Sequence, residues 1–369
     1  MNKALVTAIM VLCFAPLFVC HASAEELFVS AADMTGVREA ESLVPDDARD
    51  ISGTIAPDGT YDAPGALERL WRRVANDAVK ELRTNVQNAA AIVAVAMCSA
   101  LAGSLTKDAA IRDYISIASV CAAASLLVGG VDSLVSQTSA ALARMSDYSR
   151  AALPAVFTAA AACGAVVSAS ARYAAVCVAI DILMSAAQRV VIPLTYAFLA
   201  LSLSEGIFDN ALVKTCQRFS KWAATTFMTV FTILFSGYIG LTGIVTSSVD
   251  AVAARTARTV ISTALPVVGG IISDAASTVL SAAQMIRNSS GAFSLVAVAA
   301  MCASPFVTLS IKILLFRAAA AACDMVPNTR LSAFVGDVGT ALSMLLGLVG
   351  CCAIMLFISF TAAIKVVTV

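Results

Sequence analysis

From residue 84 onward the chain alternates long uncharged runs with short charged breaks. Five of the runs, 84–106, 114–131, 222–249, 288–311 and 338–364, are long enough to cross roughly 30 Å of hydrocarbon as helices. Two further stretches are apolar but interrupted: 151–204 by Arg172, Asp181 and Arg189, and 259–286 by Asp274. Each comes after a stretch whose apolar residues recur at helical spacing. Before the first they are Val131, Leu134, Val135, Thr138, Leu142, Met145 and Tyr148; before the second, Val249, Val252, Ala253, Val260 and Ala264. Upstream, Leu67, Leu70, Trp71, Val74, Ala78, Leu82 and Val86 share one helical face, while Arg69, Arg72, Arg73, Lys80 and Arg83 take the other positions. This predicts a basic amphipathic helix over 64–88, lying on the membrane surface or packed against a partner protein.

The chain also matches itself at a constant offset of 112 residues. "ALP" at 152–154 recurs at 264–266, Pro193 matches Pro305, and "RFSKW" at 218–222 matches "RLSAF" at 330–334. Matches in register without a gap argue for duplication. The predicted fold is therefore all-α: a polytopic integral membrane protein with an internal duplication and re-entrant or broken helices. The first two membrane helices occupy 89–130, repeat 1 occupies 131–245 and repeat 2 occupies 246–369. Each unit reads as a spanning helix, a surface helix, an interrupted Pro-led segment, a second helix carrying a Pro, and a basic loop.

The interrupted segment of repeat 2 is "LPVVGGIISDAASTVLSAAQMIR", Leu265 to Arg287. An ionisable group at the centre of a spanning helix costs about 2.5–3.5 kcal/mol on insertion scales, so Asp274 should face protein or water. Irregular backbone at membrane depth survives only under the same condition, and duplicated folds with broken helices place them beside a substrate path. The segment thus predicts a re-entrant hairpin or broken helix whose polar face is Ser273, Asp274, Ser277 and Thr278. The competing reading is a tilted helix with Asp274 paired to Arg287 or Arg172. Asp181 is the second candidate for a polar path. Lys and Arg divide almost evenly between the two sides whether the interrupted segments re-enter or span, so charge does not fix the topology. The re-entrant arrangement has the merit of placing the basic loops Lys214 to Lys221 and Arg317 to Arg330 on one side, the cytoplasmic one.

Composition narrows the chemistry. Of 369 residues 60% are hydrophobic and 13% charged, far from the balance of a soluble domain. The formal net charge is zero, which gives no basic excess to hold nucleic acid; the bilayer is the partner that composition implies. Residues 1–24 have the three-part form of a secretory signal, with Ala22-Ser23-Ala24 before Glu25, so the N-terminus of the mature chain, Glu25 onward, is expected to be exported. The stretch 25–63 is acidic, with scattered Pro and Gly, and reads as flexible. Eleven cysteines are present, but Cys13 and Cys20 fall in the signal and the others, such as Cys98, Cys121, Cys302 and Cys351-Cys352, sit in or beside apolar runs. The one histidine, His21, is also in the signal. With no histidine after the signal, no CxxC spacing, no phosphate loop and no GxSxG elbow, neither catalytic, cofactor nor metal residues can be named and an enzyme is not expected. Gly237, Gly240 and Gly243, and Gly347 with Gly350, form small ridges that suit close helix packing, within one chain or between copies in a homo-oligomer. Lys312, near the end of its run, is read as snorkelling to the interface.

The run Pro266 to Leu280, with Gly269 and Ser273-Asp274-Ala275-Ala276, and beyond it "CASPFVTLSIKILLFRAAAA", resembles the stage III sporulation protein AE family over roughly the last 240 residues. The resemblance implies a multi-pass protein of the mother-cell membrane around the forespore, part of a channel or secretion-like complex with other stage III sporulation A proteins. It supplies no catalytic residues. A stand-alone secondary transporter, and a structural anchor recruiting other sporulation proteins, remain as alternatives on the residues alone.

Overall fold

The computed structural model describes residues 41–364 apart from 43, 57–60, 163–165, 265–268 and 326–328; within the helices the side chains of 47, 128, 160, 162, 166–169, 171–172, 242–283, 285–287 and 329 are outside the description. The predicted signal peptide lies outside it too. Among the described residues every regular element is helical: α1 (Asp46–Ser52), α2 (Ala63–Ser104), α3 (Ala109–Ala162), α4 (Val166–Ala186), a π-helical turn (Ala187–Val191), α5 (Ile192–Phe208), α6 (Ala211–Ala264), α7 (Gly269–Cys323) and α8 (Thr329–Ile364). Six segments are long and apolar enough to cross a membrane: Ala63–Ser104, Ala109–Ala159, Tyr173–Phe208, Ala211–Leu241, Asn288–Cys323 and Arg330–Ile364. The five uncharged runs overlap five of these, and the interrupted stretch 151–204 supplies most of the sixth.

Side-chain pairs fix the order of packing. α3 runs antiparallel to α4 and α5: Phe157 meets Tyr173, Arg150 meets Asp181, Asp132 meets Tyr196, and the Cβ position of Gly206 comes 3.0 Å from Val120. At one end, here termed the upper, the start of α2 meets α7 through an edge contact of Tyr61 on Phe293, and Tyr148 of α3 meets Phe360 of α8. Burial pushes the Tyr61 phenol up, and its hydroxyl donates to the Ser52 carbonyl at 2.8 Å, tying α1 to the same end. At the lower end Arg330 bridges Asp113 at 3.5 Å and Asp209 at 3.9 Å, drawing together the start of α3, the connection 209–210 and the start of α8. The six segments therefore pass up and down in alternation; the basic stretches expected as loops are largely helical, Lys214 to Lys221 lying in the first turns of α6 and Arg317 in the last turns of α7, both at the lower end.

α7 and α8 form the centre. In the most apolar window of each, 78% and 61% of residues are buried, against 11% in α2 and 22% in α6. One backbone approach depends on glycine: a Cβ at Gly291 would overlap Ile364 Cγ1, so α7 and α8 close at the upper end only because position 291 has no side chain. Pro305 sits inside α7 without ending it, whereas Pro193 opens α5 just after the π-helical turn.

Several expectations are revised. The amphipathic stretch 64–88 and the first span are one helix, α2, in which Leu70 is buried while Trp71, Leu82 and Val86 are exposed. The stretch 131–148 is a continuation of α3, not a surface helix; all seven predicted face residues are buried, because they meet α7 and α8 instead of lipid headgroups. The backbone from Gly269 through Arg287 is helical and runs on into the spanning part of α7, so no hairpin turn forms there; a break at 265–268 falls outside the described residues. Lys312 stands well before the end of α7, half-buried, so it does not act from a helix terminus. Part of the acidic stretch read as flexible is folded as α1, with Val44, Ala48 and Ile51 buried against the bundle. The helix ends Ala162 and Ala264 do not keep the 112-residue offset, which leaves the duplication a property of the sequence.

The exposed surface changes along the bundle. Toward the upper end α2 exposes Arg72, Arg73, Lys80 and Arg83; α3 exposes Arg144, Asp147 and Arg150; α4 and the turn after it expose Asp181 and Arg189, with Val79, Val178 and Ile182 among them. Toward the lower end α2 exposes Met97, Leu101 and Leu105 and α3 exposes Leu126, above a charged rim that includes Arg112, Asp113, Lys214, Arg218 and Lys221; α6 exposes apolar side chains along its described length, from Phe219 and Trp222 up through Val230, Ile233, Leu234 and Leu241.

Candidate functional site

Polar side chains gather at two places between helices. The first is where α5, α6 and α8 meet. Asp337 is half-buried, a short way inside α8, flanked by buried Val335 and Val338. Its Oδ2 accepts from Ser202 Oγ at 2.8 Å and from Gln217 Nε2 at 2.5 Å. Ser202 is 1% and Gln217 6% exposed, so both donors are withdrawn from water and aimed at the carboxylate. Close by, Lys214 Nζ donates to Glu205 Oε1 at 3.1 Å, and Glu205 and Lys221 are the charges that act on Asp337. Hydrogen bonds to an ionised acceptor are roughly twice as strong as neutral ones, so one oxygen here clamps three helices.

The second lies between α2 and α7. Glu81 Oε2 accepts from Asn85 Nδ2 at 2.7 Å, and Glu81 Oε1 accepts from Thr308 Oγ1 at 3.3 Å. Lys312, one turn beyond Thr308, faces the same carboxylate. This cluster ties the most peripheral helix to the most buried one.

The residues predicted from sequence are scattered. Asp181 pairs with Arg150 at 2.6 Å on the outer surface, where the two side chains are 58% and 62% exposed. Ser273, Asp274, Ser277 and Thr278 lie on the helical backbone of α7, with side chains outside the described residues. Gly237 and Gly240 have open space where a Cβ would stand, as does Gly350, whereas Gly347 looks onto Met228 at 3.7 Å; Gly243 is outside the description. No group of three or more His, Cys, Asp or Glu able to hold a metal occurs among the described residues. Sequence reasoning misses Asp337 and Glu81. Asp337 stands one residue before the uncharged run 338–364 and reads as its border, although the apolar pattern continues through it from Leu331 and Phe334. Glu81 is hidden in the charged face of 64–88, where nothing local separates an inward carboxylate from an outward one.

The family model described as stage III sporulation protein AE matches residues 61–367, most of the chain. A curated protein of that description from Bacillus subtilis (strain 168) is 24% identical over 181 residues, 49% of this chain and 45% of the relative. The aligned part thus spans less than half of that relative's length. No solved structure matches.

Proposed function

Since the chain belongs to the stage III sporulation protein AE family, we propose that this sporulation membrane protein is a non-enzymatic subunit of the channel complex between mother cell and forespore, working with other stage III sporulation A proteins. The observation that carries this beyond family membership is the division of the exposed surface. A charged side chain facing hydrocarbon is costly, and segments such as Asn288–Cys323, 36 residues or about 54 Å long, exceed the roughly 30 Å of a bilayer core. We therefore place the bilayer around the lower part of the bundle, where α2 and α3 expose apolar side chains, and the charged upper parts of α2 and α3, with the N-terminal α1, outside it. With the predicted signal peptide exporting the N-terminus, that upper part lies in the space between the two membranes, where it offers a folded surface to partners.

Asp274 and its neighbours remain the proposed polar path or interface, together with Asp181. Single cysteines at Ser273 and Ser277, in a background lacking the nine cysteines beyond the signal, are expected to react with a membrane-impermeant thiol reagent. The reactive side gives the topology. A second reading, an anchor that gathers partners without conducting, is favoured by the close packing of α7 within the bundle. Absence of labelling from either side, with labelling restored on denaturation, would favour the anchor.

A further inference from the structure

We infer that Asp337 is a proton-binding site, loaded from the lower end of the bundle. This goes beyond the channel reading and does not rest on it. Three observations carry the assignment. Asp337 has no ion-pair partner among the described residues; Arg218, beside Gln217 on α6, is exposed, and the other nearby basic groups are otherwise placed. Lys214 is on Glu205 and Arg330 is on Asp113 and Asp209, while the Arg317 stem packs at Gly339 on another face of α8; Lys221 acts on Asp337 without pairing to it. Both bound donors converge on Oδ2, and no donor reaches Oδ1 among the described residues, so one oxygen holds the helices while the other is free to take a proton. Ionisable groups also lead in from solvent: the Lys214 side chain is 51% exposed, its partner Glu205 is 13% exposed, and Asp337 is half-buried within reach of the Glu205 charge.

The site suits a proton better than a metal ion. Calcium and magnesium need a shell of six or more oxygen ligands, whereas Ser202 and Gln217 present hydrogens to the carboxylate. Binding a proton removes the charge that strengthens those two bonds, so α5 and α6 are held less firmly on α8 when the site is loaded. The packing of three helices is thereby linked to the acidity of the lower side.

The test uses the purified full chain in detergent and the apolar reagent dicyclohexylcarbodiimide, which adds to protonated carboxyl groups, with mass spectrometry of the peptides. A stable adduct on Asp337 is expected, falling by roughly tenfold per pH unit above its midpoint, and Asp337→Asn should remove it. A water-soluble carbodiimide should favour the exposed Asp113 and Asp209 instead. An Asp337 peptide recovered unmodified at every pH, or an adduct whose yield is flat with pH, would overturn the assignment and leave Asp337 as a helix clamp alone. Asp337→Asn can still accept from both donors, so an intact fold in that variant separates the proton site from the clamp.

Discussion

The upper and lower halves of the bundle share helices but not a solvent. α2 exposes Arg72, Arg73 and Lys80 above and Met97, Leu101 and Leu105 below; α3 exposes Arg144, Asp147 and Arg150 above and Leu126 below. Inside, the two halves are alike, because α7 and α8 fill the centre of both with Val, Leu, Phe and Ala. The difference teaches that the apolarity of a long helix does not mark its membrane part when the helix is a core element. α7 is apolar above because protein covers it, and the outer helices show where the protein meets water.

The strongest way to break this comparison is to place a charge on each half at comparable exposure. Met97→Asp, 56% exposed on the lower part of α2, should lower membrane insertion by about 2.5–3.5 kcal/mol, and Val79→Asp, 69% exposed higher on the same helix, should stay within about 0.5 kcal/mol. Comparing the yield of correctly inserted protein for the two variants checks this; equal losses would abolish the distinction between the halves. Next in size, Gly291→Val should force α7 from α8 at the upper end and cost about 1–3 kcal/mol, read as a lower thermal midpoint in detergent. An unchanged midpoint would mean that the upper ends of α7 and α8 do not close on each other. Smallest is Arg150→Ala. An exposed pair contributes about 0–1 kcal/mol, so the midpoint should scarcely move; a large drop would show the Arg150–Asp181 pair shielded from water, contrary to its place on the outer surface.

The helices are legible in the sequence because a bilayer-length apolar run has few alternatives, and the face of 131–148 can be read to the residue, since period 3.6 reports which side is covered. What covers it is not legible. The same periodicity fits lipid headgroups or a neighbouring helix, and only the positions of Cys302 and Phe360, more than 150 residues away in sequence, decide for the helix. The unbroken helix through Asp274 is unexpected because a Gly-Gly pair and a carboxylate weaken a helix interior, but Gly269 and Gly270 are the first two residues of α7, where the interior penalty of about 1 kcal/mol per glycine does not apply. Asp337 escapes notice because its partners Ser202 and Gln217 come from two other helices and carry no pattern of their own.

The place of α7 and α8 has a consequence for synthesis. The two helices that fill the core are made last, so α2 to α6 enter the membrane before the surface they pack on exists. Their inward faces, including the polar Ser202, Gln217 and Glu81, must wait for Asp337 and Thr308 to arrive. During that interval the early helices need temporary company from lipid, insertion machinery or each other. The α3–α4 and α3–α5 contacts can form early, whereas the bonds to Asp337 and Thr308 close only once α7 and α8 are made.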